Sequence, residues 1–224
     1  MITPPGSTIG IVGGGQLGRM LARAASRMGY KTHIYTPERD SPASHVATRT
    51  TVGAYRDTLA LRDFAQQVDI ITFEFENIPS ETLEMLDAIV AVRPNPSVLF
   101  TTRHRLREKE FIRSLGIATA PFAPVRNEAE LHAALATIGT PAILKTSEMG
   151  YDGKGQVRIA SPDDGMKSWA MLGKTECILE GLIAFEAEAS IIVARSTLGE
   201  ARCYPLVQNI HRDHILHKTI VPAP

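Results

Sequence analysis

A strand, a glycine turn and a helix follow one another without a break near the start of the chain. Thr8 to Val12 is a β-branched apolar run that leads directly into the turn Gly13-Gly14-Gly15-Gln16-Leu17-Gly18. Beyond the turn, apolar residues recur at helical spacing as far as Met28, and the run Lys31 to Thr36 predicts a second strand. A strand–helix–strand unit of this kind pairs its two strands in parallel. The chain is therefore expected to begin with an α/β fold.

The glycine turn matches the pattern G-x-G-x-x-G, in which the backbone approaches a phosphate group at the N-terminus of a helix. An NAD site would also place Asp or Glu at the end of the second strand, where it holds the ribose hydroxyls. Thr36 and Pro37 occupy that position, and Glu38 follows only after the proline. A structural turn or a phosphate pocket for another ligand is the better interpretation. An NAD-dependent reductase is the weaker alternative.

Composition excludes several classes of protein. The 224 residues suffice for one large or two small domains, and 44% of them are hydrophobic. No stretch approaches the roughly 20 apolar residues of a membrane span, and the N-terminus lacks the order of a signal peptide. The 24 basic residues balance 24 acidic ones, and the two cysteines lie far apart. We expect small-molecule chemistry in the cytoplasm, with no nucleic-acid or membrane partner.

Two acidic residues follow the third predicted strand, Asp69 to Phe73. Glu74 and Glu76 alternate with Phe75 at the point where this strand ends. Ligands of open α/β sheets bind just outside the carboxyl ends of the strands. At least one of the two carboxylates is therefore a candidate to hydrogen-bond a ligand's hydroxyl or amine group. The alternative is a pair of solvated loop acids ahead of the next helix.

The stretch Pro141 to Gln156, PAILKTSEMGYDGKGQ, carries the clearest chemical signal. A short apolar run ends in Lys145, which predicts a buried strand that delivers one ammonium group. Three glycines, Asp152 and Lys154 follow, and such a loop can turn its N–H groups toward an anion. A nucleotide polyphosphate site is the favoured interpretation, although no Walker A sequence is present. A simple β-hairpin turn is the alternative.

The sequence Pro94-Asn95-Pro96 interrupts the pattern and marks a domain boundary. We predict one domain over residues 1–95 and a second over residues 96–224. The charged helix that runs through Arg103 to Phe111 is interpreted as an exposed connecting helix. Strict alternation from Phe185 to Arg195 places Glu186, Glu188 and Ser190 on one face of a strand.

Taken in order, the motifs resemble the ATP-grasp superfamily and, within it, the 5-(carboxyamino)imidazole ribonucleotide synthases, a family of ATP-dependent ligases of purine biosynthesis. The motifs are GGGQLG, FEFENIP, RLREKEF, LKTSEMGYDGKGQ, ECILEG, FEAEASIIVAR and QNIHRDHIL. The resemblance covers essentially the whole chain. It implies mixed α/β and α+β architecture: a Rossmann-like pre-ATP-grasp domain with a parallel sheet over residues 1–95, then an incomplete ATP-grasp domain over residues 96–224, with the small ATP-binding lobe and the start of the large lobe.

The resemblance also implies roles for individual residues, and catalysis would involve Lys145, Tyr151, Asp152 and Lys154. Glu180 to Ile183 would form a hinge that hydrogen-bonds adenine through backbone groups, and Glu188 would accept from the ribose hydroxyls. The ribonucleotide substrate would face Gly15, Gln16, Leu17 and Glu74. The full ATP-binding set implied is Arg105, Lys145, Gly150, Tyr151, Asp152, Gly153, Lys154, Gly155, Gln156, Glu180, Gly181, Leu182, Ile183, Glu188 and His211.

The reaction implied joins ATP, bicarbonate and 5-aminoimidazole ribonucleotide into the N-carboxylated product, with Mg²⁺ as the metal cofactor and a homodimer as the complete enzyme. No metal ligands are expected within this chain, because the family's acidic Mg²⁺ ligands lie beyond the position that matches Pro224. Family members continue for well over a hundred residues after that point. The sequence therefore predicts a truncated chain that is inactive alone and exposes apolar edges.

One residue of the loop departs from the family pattern. Met149 stands where the family usually has another glycine, so lid flexibility or substrate fit could differ. Two further functions stay open at this stage: another ATP-grasp ligase, such as a formate-dependent glycinamide ribonucleotide transformylase or a biotin-carboxylase-like protein, and a non-catalytic nucleotide-binding remnant.

Overall fold

The computed structural model describes residues 3–150 and 153–224, and the chain divides into two compact units, residues 1–108 and residues 109–224. The sequence placed the division between residues 95 and 96. The first unit extends further because the helix Pro96–Thr102 packs against it, with Leu99 buried in the core that the preceding strands and helices share.

A parallel sheet forms the centre of the first unit. Within the described residues it has four strands in the order β3-β2-β1-β4, with every pair parallel. A single bridge between Ile71 and Val92 continues it beyond β4. The strands are β1 (Thr8–Val12), β2 (Lys31–Thr36), β3 (Arg49–Val52) and β4 (Ile70–Phe73). The helices are α1 (Gln16–Arg27), α2 (Thr58–Ala65), α3 (Ser80–Asp87), α4 (Pro96–Thr102) and α5 (Arg105–Ser114); α5 continues into the second unit.

The helix α1 contacts the sheet through small residues. Gly18, Ala22 and Ala25 are its buried positions, whereas its larger apolar residues Leu17 and Met20 are exposed. Small side chains allow the helix backbone to lie close to the strands. The position of α1 is therefore fixed by close backbone packing and not by large buried side chains.

An antiparallel sheet forms the centre of the second unit, with its strands in the order β5-β8-β6-β7. Leu131, Leu135 and Trp169 cover this sheet, and the Trp169 indole N–H donates to the Thr175 carbonyl at 2.9 Å. The strands are β5 (Phe122–Val125), β6 (Ala142–Thr146), β7 (Gln156–Ile159) and β8 (Cys177–Gly181). The helices are α6 (Glu128–Ile138) and α7 (Gly165–Met171), the latter preceded by a single 3₁₀ turn, Pro162–Asp164.

Further antiparallel strands follow β8. They are β9 (Glu188–Ser190), β10 (Val193–Arg195), β11 (Ala201–Cys203), β12 (Val207–Arg212) and β13 (Ile215–Ile220). The strand β12 lies between β13 and β9, and β10 pairs with β11. Large apolar side chains in this region are exposed, Leu198 at 95% and Ile192 at 67%.

The predicted mixture of a parallel α/β part and an antiparallel α+β part is confirmed. One strand was not predicted from the sequence: the β-branched run Thr50-Thr51-Val52 belongs to β3, which pairs with β2. Within α2, Leu59 is exposed, whereas Leu61 and Phe64 are buried. None of the helices in the described part of the chain is long and apolar enough to cross a membrane.

A histidine is buried within the parallel sheet. His33 is 1% exposed, its Nε2 lies 2.8 Å from Thr51 Oγ1, and its ring meets Phe64 edge-on. Burial, and secondarily the positive charge of Arg49, lowers the pKa of His33 to about 4. The folded state therefore requires the neutral ring.

We expect the free energy of unfolding to fall as the pH drops from 6.5 toward 4. Between these values the unfolded chain binds a proton at His33 and the folded chain does not, so the loss amounts to roughly 3 kcal/mol across the window. Urea titrations at several pH values measure it. In His33→Gln the pH dependence is expected to shrink, whereas the exposed His132→Gln is the control. Equal pH dependence in all three proteins would contradict the assignment.

Candidate active site

The strand β6 delivers one lysine to a largely buried carboxylate. Lys145 Nζ lies 2.9 Å from Glu180 Oε2, and the two side chains are 19% and 9% exposed. The two residues come from neighbouring antiparallel strands, on which Lys145 pairs with Ile178 and Glu180 pairs with Ile143. The sequence predicted both as ligand contacts, and the structure brings them together as a charge-assisted pair.

A second lysine reaches the same carboxylate from a helix. Lys109 Nζ, on α5, lies 3.5 Å from Glu180 Oε1 and its side chain is 18% exposed. Sequence reasoning missed Lys109 because it took the whole helix for an exposed one. Lys109 follows the buried Leu106 by three positions, and helical residues three apart share a face. The sequence alone does not distinguish Leu106 from Phe111 of the same helix, which is exposed.

The glycine-rich loop joins β6 to β7. The Thr146 N–H donates to the Gly155 carbonyl at 2.8 Å, and Lys145 pairs with Gln156 across the two strands. Gly153 and Gly155 have φ of +75° and +69°, which favours glycine, and Lys154 between them is exposed. Gly150 belongs to the same loop, while Tyr151 and Asp152 lie outside the described residues.

Met149, which departs from the family pattern, has a backbone conformation that favours glycine. Its φ is +64°, the left-handed region in which a glycine carries no steric penalty, and its side chain is exposed. The backbone thus keeps the conformation that a glycine would favour, and a methionine occupies it at a cost of about 1–2 kcal/mol.

The predicted hinge already uses two of its backbone donors. The Gly181 N–H donates to the Pro121 carbonyl at 2.9 Å, and the Leu182 N–H donates to the Pro141 carbonyl at 3.2 Å. Ile183 is half exposed. Any adenine contact in this segment therefore has to use carbonyl groups or the N–H of Ile183.

Two further residues assigned to the nucleotide meet on the strands that follow. His211 Nδ1, on β12, lies 2.8 Å from Glu188 Oε2, on β9. Both side chains are partly exposed, at 34% and 41%. The pair thus presents a carboxylate and an imidazole on neighbouring strands of one small sheet.

In the first unit, Glu74 caps the helix that the glycine turn begins. The Gly15 N–H donates to Glu74 Oε1 at 2.8 Å, which places a negative charge at the N-terminus of α1. A Cβ on Gly13, whose φ is +118°, would lie 2.6 Å from the same carboxylate. The turn therefore binds an anion that belongs to the chain itself, and a dinucleotide pyrophosphate at this N–H would have to displace Glu74.

The other predicted residues of the turn lie at the start of α1, where Gln16 and Leu17 are exposed. Arg105 is partly buried and begins α5 in the first unit.

Tyr55, which the sequence did not indicate, stands beside Glu74. It stacks on Phe75 with a centroid distance of 6.0 Å. Burial raises the pKa of Tyr55 to about 12, and the charges of Glu74 and Glu38 contribute to the shift.

These residues fit a nucleotide polyphosphate. Lys109 and Lys145 supply two ammonium groups against one carboxylate, which leaves a net positive charge beside a loop rich in backbone donors. Among residues 3–150 and 153–224, no group of three or more His, Cys, Asp and Glu side chains is placed to hold a metal ion.

Family models match both parts of the chain. The ribonucleotide synthetase preATP-grasp domain matches residues 6–103, and the ATP-grasp domain matches residues 110–224. The chain belongs to the ATP-grasp family. The second match begins within α5, one residue beyond Lys109, and contains Lys145, Glu180 and the glycine-rich loop.

Relatives within the family carry names from purine biosynthesis. A bifunctional purine synthesis protein of Dictyostelium discoideum is 52% identical over 227 residues, which cover 100% of this chain and 23% of that protein. The N5-carboxyaminoimidazole ribonucleotide synthase of Brucella melitensis biotype 1 is 47% identical, with coverage of 98% and 61%. The chain thus spans about 60% of the length of this bacterial relative.

A solved structure shares the fold closely. It is the ADP complex of an N5-carboxyaminoimidazole ribonucleotide synthetase, with a TM-score of 0.94 and 42% identity, and the match covers 99% of this chain and 59% of that one. The resemblance to 5-(carboxyamino)imidazole ribonucleotide synthases that the motifs indicated is confirmed.

Removing the Glu74 side chain is expected to destabilise the first unit. Glu74→Ala deletes the charged cap of α1 and leaves the Gly15 N–H without this acceptor, so we expect a loss of about 1–2 kcal/mol in the free energy of unfolding. Glu76→Ala removes an exposed acid of the same loop and is expected to change it by less than about 0.5 kcal/mol. Urea unfolding measures both. Equal effects would contradict the capping role.

Proposed function

We propose that the protein carrying this sequence is an ATP-dependent ligase that carboxylates 5-aminoimidazole ribonucleotide with bicarbonate in purine biosynthesis. The observation that carries the proposal is Lys145, held at the end of β6 directly before the glycine-rich loop, in a chain of the ATP-grasp family. The names of the relatives support the choice of substrate among the reactions of that family. They weigh against a glycinamide ribonucleotide transformylase or a biotin carboxylase.

Lys145 is the proposed phosphate ligand. Its ammonium carries three donors and lies on a strand fixed by pairing on both sides, so it can turn toward a phosphate without moving the backbone. Gly150, Gly153 and Gly155 let the loop direct N–H groups to the same oxygens, with Lys154 as a further cation and Tyr151 and Asp152 assigned by resemblance. Mg²⁺ would neutralise charge on the transferring phosphoryl group.

The other nucleotide contacts are proposed from the same resemblance. Glu188 would accept from the ribose hydroxyls, and its partner His211 would lie near the phosphates. The segment Glu180 to Ile183 would receive adenine through the carbonyls and the N–H that its own hydrogen bonds leave available. Arg105 would add a guanidinium to the phosphate ligands.

The chemistry activates a poor electrophile. A bicarbonate oxygen attacks the γ-phosphorus of ATP, the bond to the β-phosphate oxygen breaks, and carboxyphosphate and ADP form. The exocyclic amine of the ribonucleotide then attacks the carbonyl carbon, or carbon dioxide released from carboxyphosphate. Phosphate leaves and the nitrogen loses a proton. The chain's cations stabilise the negative charge of the phosphoryl groups during transfer.

The ribonucleotide is proposed to bind at the glycine turn, near Gly15, Gln16, Leu17 and Glu74. A carboxylate has several acceptor sites, so Glu74 can hold the Gly15 N–H and still accept from an amine or hydroxyl of the ligand. The aromatic pair Tyr55 and Phe75 gives this place an apolar wall.

We also propose that the protein is a homodimer and is located in the cytoplasm. The cytoplasmic location agrees with the free cysteines Cys177 and Cys203.

Replacing Lys145 is expected to weaken nucleotide binding. Lys145→Met keeps most of the stem and removes the charge, so the dissociation constant of ADP should rise about tenfold or more. Calorimetry on this chain measures it. Lys167→Met removes an exposed lysine from α7 and should leave the constant within about twofold. An unchanged constant in Lys145→Met would refute the phosphate role.

The choice of substrate is tested by nucleotide turnover in the whole protein that carries this sequence. With ATP and bicarbonate present, 5-aminoimidazole ribonucleotide should accelerate ADP release, while glycinamide ribonucleotide should not. The two ligands share a ribose phosphate and differ in the part that carries the reacting amine, so the comparison isolates recognition of that part. Acceleration by glycinamide ribonucleotide in a parallel assay, in which formate replaces bicarbonate, would replace the proposal with a transformylase. Tight ATP binding without any turnover would indicate a non-catalytic nucleotide-binding protein.

A further inference from the structure

The position of Lys145 presents a difficulty for phosphate binding. Its ammonium is engaged with Glu180 Oε2 at 2.9 Å, and the carboxylate is 9% exposed. To reach a phosphate, Lys145 has to leave this oxygen. A carboxylate left without a counter-ion in so buried a position is strongly unfavourable. Lys145 alone would therefore be retained by Glu180.

Lys109 provides the missing counter-charge. It lies 3.5 Å from Oε1, the other oxygen of the same carboxylate, and its side chain is 18% exposed. Because the two lysines occupy different oxygens, one can depart while the other stays. We propose that Lys109 is a positioning residue that keeps Glu180 neutralised and so releases Lys145 to bind the nucleotide phosphates. This role rests on the nucleotide site proposed above.

The surroundings of Lys109 favour its staying in place. Its ammonium lies 5.7 Å from the centroid of the Phe122 ring, and Phe122 pairs with Glu180 across β5 and β8. Arg113, one turn further along α5, stacks on the same ring at 4.0 Å. The helix is thus anchored on β5 by two cations, of which Lys109 also reaches the carboxylate.

Two roles for Lys109 make different predictions. A merely structural role would lower stability, and any effect on binding would extend to every ligand of the site. A positioning role through Lys145 affects ligands that carry phosphate and spares those that lack it. It also depends on the charge of Glu180, because a neutral side chain there does not retain Lys145.

The test compares ADP and adenosine binding by calorimetry in this chain. In Lys109→Met the dissociation constant of ADP is expected to rise about tenfold, with that of adenosine within about twofold. Lys109→Arg keeps the charge and is expected to recover ADP binding to within about threefold. Arg113→Met is the matched control, because it removes a cation from the same helix and the same ring; its ADP constant should stay within about twofold.

A second set of variants, made in the Glu180→Gln background, isolates the coupling between Lys109 and Lys145. In Glu180→Gln the additional change Lys109→Met is expected to alter the ADP constant by less than about twofold, since the carboxylate that retains Lys145 is gone. Thermal unfolding of each variant shows whether it is folded under the binding conditions.

The outcomes separate the two proposals. If the unmodified chain binds ADP and Lys109→Met binds it equally well, or loses adenosine and ADP alike, the positioning role is overturned and the nucleotide site stands. Persistence of the full Lys109→Met effect in Glu180→Gln would also overturn it. If the unmodified chain does not bind ADP, both the nucleotide site and the role of Lys109 fail.

Discussion

The carboxylate of Glu180 is the point on which the second unit's candidate site depends. It lies at the end of a buried strand, and each of its oxygens meets a lysine from a different element, Lys145 on the adjacent strand and Lys109 on the helix α5. Burying a carboxylate is costly unless counter-charges and hydrogen bonds offset its desolvation. The requirement ties helix and sheet together and concentrates positive charge beside the glycine-rich loop. Stability and the proposed phosphate binding thus depend on the same three side chains.

The glycine turn of the first unit also pairs a carboxylate with positive charge, but here the positive charge is the partial charge of a helix N-terminus. The N-terminus of a helix attracts anions, and Glu74 satisfies it from within the chain. The pattern G-x-G-x-x-G describes backbone geometry alone, so it does not reveal whether the anion is a ligand or a side chain. Gly13 is needed here because a Cβ would collide with the capping carboxylate. The close backbone approach, which the motif associates with a phosphate group, is explained here by a residue 59 positions away.

Local patterns in the sequence predicted most of the fold. The strands Thr8–Val12 and Lys31–Thr36 were predicted with the observed bounds, because their β-branched and apolar residues agree with the glycine turn and the helical spacing between them. The strand Arg49–Val52 was not predicted, and neither was the helix Pro96–Thr102, whose first residue is one of the prolines that interrupt the pattern. These errors share a cause: pairing partners and packing surfaces decide such marginal segments, and a single sequence does not show them.

The residues of the candidate site were predictable where they belong to one continuous motif. They were not predictable where the fold brings together residues from separate elements. Lys145 and the loop after it form one stretch, so their spacing carried the signal. Lys109 is one charged residue among many in RLREKEF, and its importance comes from a carboxylate 71 positions later that the fold brings to 3.5 Å. A helix with alternating charges is usually exposed to solvent, so its charge pattern predicts an exposed helix. The buried Leu106 restricts which of those charges can face inward, and Lys109 shares its side of the helix. The burial of Leu106 therefore decides which cation of this helix reaches the carboxylate, and the sequence does not show that Leu106 rather than Phe111 is the buried residue.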